Sequence, residues 1–126
     1  MLKRKILDIV EKNNIECAGN DPDEQCLAYI LVSMASSGNI INFKDVVFDS
    51  DFVSIMKDDD LHSSISAFFS NNLNISETSK QSFLHRNTLV YRLEKIEKMT
   101  GFNLKNFSDA VSFRLLMEIY SRLSAK

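Results

Sequence analysis

The chain predicts an all-α fold, a helical bundle with an N-terminal helical extension. Three observations carry that expectation. Only three Gly and one Pro occur in 126 residues, so few positions break a helix. Leu, Ile, Met, Phe and Lys are plentiful, and long unbranched side chains lose little freedom on a helix. Apolar residues recur at spacings of three and four rather than two. The length suits one domain with a buried core and no need of disulfides.

Each element has its own signal. Leu2, Ile6, Ile9 and Val10 predict a first helix over residues 3–13. Asp21-Pro22-Asp23-Glu24 is a start signal, because Asp caps, Pro suits the first helical position and Glu completes a capping pair. That second helix runs to about Ser36 and is apolar around much of its circumference, so it should be buried. Residues 40–48 fit either short extended pieces or irregular packing. Asp49-Ser50-Asp51 starts a short helix through Met56, and Asp58-Asp59-Asp60 caps the next. There Leu61, Ile65, Phe68 and Phe69 line one face before Asn71-Asn72 end it. Asn74 or Ser76 caps a two-turn helix over 76–83. Leu84-His85-Arg86 form a turn. A longer helix follows from Asn87 to about Thr100, stopped by Gly101, with Leu89, Leu93 and Ile96 as its inward stripe. Ser108 or Asp109 starts a last helix to about Leu123. Val111, Leu115 and Ile119 line one side of it, and Phe113, Leu116, Tyr120 and Leu123 another. One small domain rarely covers both, so a subunit interface is expected there, with a helix covered entirely within the chain as the alternative.

Charge is unevenly spread. The net is −2. Residues 1–75 hold six Lys/Arg against twelve Asp/Glu, residues 76–105 six against three, and residues 106–126 three against two. The basic excess coincides with the two-helix unit. No apolar run is long enough to span a bilayer, and Asp8 and Glu11 interrupt what would otherwise resemble a secretory leader. The cytoplasm is the expected location. Cys17 and Cys26 lack CxxC spacing and a neighbouring His. They read as small buried hydrophobes, with redox sensing as the alternative. No Gly-rich phosphate loop, metal-ligand cluster or nucleophile–base pair is present, so neither an enzyme nor a cofactor is expected.

Two helices joined by a three-residue turn, the second opening on basic and amide side chains, form a helix-turn-helix pattern. The start of the second helix carries unpaired N–H groups and partial positive charge. Its side chains can enter the major groove, where Arg pairs with guanine and Asn with adenine. Ser76 and Thr88 suit phosphate. Arg92 and Lys95, one and two turns on, suit a groove wall or a phosphate row. Tyr91 fits packing as well as phosphate contact, and His85 fits a turn cap as well as DNA. Asn87 fits an N-cap as well as a base contact.

Asn74-Ile75-Ser76-Glu77-Thr78, His85-Arg86-Asn87-Thr88-Leu89, Tyr91-Arg92-Leu93, Ile96-Glu97 and Thr100-Gly101 together resemble the C-terminal helix-turn-helix of PucR/CdaR-type bacterial transcriptional regulators. That domain is related to the Fis helix-turn-helix. The resemblance covers about residues 58–123. It implies a Fis-like helix-turn-helix domain over 58–126, preceded by a helical region over 1–57 for dimerisation or partner docking. It also implies sequence-specific binding of double-stranded DNA by a dimer, and the apolar helix faces suggest a homodimer joined through its N- and C-terminal helices. The resemblance places Arg86, Asn87, Thr88 and Arg92 in the groove or on its rim, and the pattern itself adds Ser76, Thr78, His85, Tyr91 and Lys95 as expected DNA contacts. Family members carry a large N-terminal sensory region. About 57 residues precede the resemblance here, too few for the usual sensor, so the identity of an effector does not carry over. Ser79 and Ser82 stand where Ala and a large aliphatic residue are expected. The competing reading is a protein–protein interaction module that keeps the helix-turn-helix as a scaffold without binding DNA alone.

Overall fold

The computed structural model describes residues 2–12 and 48–124, and among them are six α-helices and no strand. They are α1 (Leu2–Lys12), α2 (Ser50–Lys57), α3 (Asp59–Ser70), α4 (Ile75–Ser82), α5 (Arg86–Thr100) and α6 (Phe107–Ser124). The architecture is the all-α bundle the sequence predicts. The helix expected from Pro22 to Ser36, the ambiguous stretch over 40–47 and both cysteines lie outside the described residues.

Short polar side chains begin the helices, each satisfying a backbone N–H left over at the first turn and worth about 1 kcal/mol. The Asp49 carboxylate accepts from Phe52 N at 2.9 Å, Asp58 from Leu61 N at 3.0 Å and Asn74 from Glu77 N at 2.9 Å. Asp58 serves twice. Its own N–H also closes α2 by donating to the carbonyls of Ser54 and Ile55. One residue therefore ends one helix and starts the next. At the other end of the bundle, Gly101 adopts φ 85° and donates its N–H to Glu97 O at 2.7 Å, as its position predicts.

The core forms around α5. Leu89, Leu93 and Ile96 share one buried cluster with Ile65 and Phe68 of α3, Phe52 and Ile55 of α2, and Leu2 and Ile6 of α1. Phe113 and Leu116 of α6 and the linker residues Phe102 and Leu104 complete it. Beneath α5 lies an aromatic layer. Phe113 meets Phe52 at 5.6 Å and Phe102 at 5.9 Å, edge to face. Phe48 stacks on Phe52 at 5.1 Å, and Tyr120 abuts both rings. Such pairs add about 0.5–1.5 kcal/mol each beyond the area they bury.

Two boundaries differ from expectation. Arg86 is the first residue of α5 rather than part of the turn, because His85 takes the capping role. α6 begins at Phe107 rather than at Ser108 or Asp109, because Asn106 Oδ1 accepts from Asp109 N at 3.1 Å. Asp109 is thereby freed for another task. Only 6% exposed, its carboxylate accepts from Lys3 Nζ at 2.9 Å and from Asn103 N at 3.0 Å. It ties α1, the α5–α6 linker and α6 together.

The last helix is covered more fully within the chain than its two apolar sides suggest. Phe113 and Leu116 are in the core, with Ile119 and Tyr120 packed against it. Val111 and Leu115 instead line an open apolar groove with Phe69, Leu73 and Phe107. The Leu123 side chain lies outside the described ones. Among the described residues no helix is long and apolar enough to cross a membrane.

Candidate nucleic-acid interface

The paired helices α4 and α5 meet in a tight turn whose hydrogen bonds are all local. The N–H of Phe83 reaches back to Lys80 O, and that of Leu84 to Ser79 O. These bonds satisfy carbonyls at the end of α4 and require Phe83 to adopt a left-handed conformation, φ 54° and ψ 33°. For a residue with a Cβ that costs about 1–2 kcal/mol. His85 then caps α5. Its Nδ1 accepts from Asn87 N at 3.0 Å, which leaves the proton of the neutral ring on Nε2. The carbonyl of His85 accepts from the N–H groups of Thr88 and Leu89.

With Leu89, Leu93 and Ile96 buried, the opposite side of α5 must face outward. Asn87, Tyr91 and Lys95 stand there at intervals of four, all exposed. Tyr91 is 64% exposed, which settles its orientation in favour of the surface. Asn87 is released for contacts because His85 does the capping. Arg86 is exposed and places Nη1 3.5 Å from Ser76 Oγ, joining the first turn of α5 to the first turn of α4. Thr88 is half-buried. Ser76, His85, Arg86, Asn87, Tyr91 and Lys95 thus form one exposed polar tip carrying two cations, Arg86 and Lys95.

Two sequence-assigned residues sit elsewhere. Thr78 is fully buried, and its hydroxyl donates to Asn74 O at 2.7 Å. It is a packing residue that stabilises the start of α4, not a phosphate contact. The correction follows from register: Thr78 lies on the inward face of a helix only two turns long. Arg92 is turned back toward α3. Its Nη1 donates to Ser64 Oγ at 2.9 Å, and its Nη2 lies 4.0 Å from Asp60 Oδ2. It straps α5 to the bundle. Sequence gave no sign of this link, since Ser64 and Asp60 lie 28 and 32 residues away in the chain.

The unusual serines of α4 leave their mark. Ser79 Oγ is buried without a hydrogen-bond partner. Ser82 helps line a cleft of about 450 Å³ with Leu84, Ala67, Ser64 and Arg92, where an aliphatic side chain was expected to fill space. Among the described residues, no group of three or more His, Cys, Asp or Glu side chains could hold a metal ion.

A family model described as the PucR C-terminal helix-turn-helix domain matches residues 61–119. Those residues are a PucR-type helix-turn-helix domain. The match takes in most of α3, all of α4 and α5, and α6 as far as Ile119. The chain is 43% identical over 63 residues to the carbohydrate diacid regulator of Escherichia coli strain K12, a match covering 50% of this chain and 15% of that protein. It is 35% identical over 68 residues to the purine catabolism regulatory protein of Bacillus subtilis strain 168, covering 54% and 13%. The similarity thus spans about one seventh of each relative's length. No solved structure matches the chain. The PucR-type domain and its regulator relatives support a DNA-binding, regulatory role in general terms.

Proposed function

We propose that the chain binds operator DNA sequence-specifically as a homodimer and regulates transcription in the cytoplasm, with α5 in the major groove. The observation that supports this best is the exposed stripe of Asn87, Tyr91 and Lys95 leading from Arg86. It lies on a helix whose other side is locked into the core. A groove-reading helix needs that combination, since side chains on a loose helix would lose their register with the bases. Arg86 and Asn87 take the base edges, His85, Ser76, Thr88, Tyr91 and Lys95 the backbone and rim, and Arg92 holds α5 in place from the side of the groove. Residues 58–126 carry the DNA-binding function. Residues 1–57 serve dimerisation or partner docking, and a dimer would place half-sites about one helical turn (~34 Å) apart.

Selection of fragmented genomic DNA by the purified chain at near-physiological salt tests this reading. A recovered palindromic site is the expected result. Arg86→Ala should weaken binding to it by about 1–3 kcal/mol and relax preference at one position. Equal recovery of all fragments by both proteins would instead favour a scaffold for protein contacts.

A further inference from the structure

The turn between α4 and α5 carries a side chain that the polar tip does not use. Phe83 is 96% exposed, more than Tyr91 or Phe107, the other large apolar side chains standing in solvent among the described residues. It adds nothing to the core. Its backbone is also ill suited to it, because the cap of α4 demands the left-handed region at this position. Glycine enters that region without the Cβ penalty. Backbone geometry therefore favours Gly here, and exposure favours a polar residue. Folding accounts for neither the ring nor its place, which leaves the ring available to a contact outside the chain.

The neighbourhood indicates which contact. Phe83 is followed closely by His85, Arg86 and Asn87, all exposed, with Arg86 reaching across to Ser76. One cation and two hydrogen-bonding side chains within four residues of the ring suit a polyanion with an apolar feature of its own. In the major groove that feature is the C5-methyl group of thymine, against which Phe packs.

We propose that Phe83 is a specificity-determining residue that packs on a thymine C5-methyl at the edge of the half-site. The proposal rests on the DNA-binding reading above. Arg86 and Asn87 distinguish bases by donors and acceptors, whereas Phe83 reads the one apolar group that distinguishes thymine from cytosine. Its placement on the turn rather than on α5 puts this readout beside the hydrogen-bonded positions, extending the recognised sequence at one end.

The test uses the full chain and the duplex it selects, with each thymine replaced in turn by deoxyuridine. That exchange removes the methyl group and leaves base pairing intact. Wild-type protein is compared with Phe83→Gly, a substitution that relieves the backbone and should melt at or above the wild-type temperature. One deoxyuridine position should weaken wild-type binding roughly fourfold, the value of one buried methyl-sized group. Phe83→Gly should bind the thymine duplex correspondingly less well and be indifferent to deoxyuridine at that position. Three results overturn the proposal while leaving DNA binding intact: wild-type binding insensitive to every replacement, Phe83→Gly retaining the thymine preference, or an equal loss on both duplexes, which would assign the ring to deoxyribose. A wild-type chain that selects no DNA sequence overturns the functional reading itself, and this inference with it.

Discussion

The two helices of the motif are held in opposite ways. α5 rests on a dry layer in which Phe52, Phe102 and Phe113 are all 0% exposed. α4 buries only one side chain completely, that of Thr78, and has an unpaired hydroxyl at Ser79. Its attachment is chiefly caps, a turn and the partly buried Ile75. The domain thus concentrates its packing under α5, the helix proposed to enter the groove. It holds the neighbouring helix with local hydrogen bonds. Segments with few buried apolar contacts are the first to open, so α4 should exchange with solvent sooner than α5.

The sharpest way to break that contrast is at the centre of α5. Leu93→Asp puts an unpaired charge into the core at a cost of several kcal/mol, a large part of the stability of a domain this size. Circular dichroism should show lost helix and no cooperative melt. Phe113→Ala should leave a folded but weakened protein, destabilised by about 3–5 kcal/mol in urea titration. A loss under 1 kcal/mol would mean that the aromatic layer is not the platform described. Asp109→Ala removes the acceptor shared by Lys3 and Asn103. About 2 kcal/mol should be lost, with α1 amides losing protection ahead of those in α5. The smallest effect belongs to α4. Ser79→Ala deletes a buried hydroxyl with no partner and should raise stability by about 1 kcal/mol. Destabilisation by that variant would show that α4 is better satisfied than its geometry suggests.

Much of this was legible in the chain because the signals are local. The inward stripe of Leu89, Leu93 and Ile96 follows from helical spacing, and all three are buried. The stop at Gly101 and the caps at Asp49, Asp58 and Asn74 need only the nearest residues. What sequence did not disclose depends on contacts across the fold. Thr78 and Ser76 differ by two positions on a short helix, and only the packed structure shows which faces inward. Arg92 looks like a groove residue by type, yet α3 claims its guanidinium. Spacing showed that α6 has two apolar sides, but only the packed structure shows that one meets the aromatic layer while Val111 and Leu115 border the groove.

Asp58 has a consequence of another kind. Because its N–H ends α2 and its carboxylate begins α3, the corner between them has no slack. Surface connections usually accept inserted residues readily. Here even one added residue would separate the two roles, leaving α2 without its closing bonds or α3 without its first. The same one-residue hinge fixes the relative direction of the two helices that deliver Phe52 and Ile65 to the core. The corner therefore acts as a ruler for the bundle, and a chain nicked or lengthened there would lose the alignment of both helices at once.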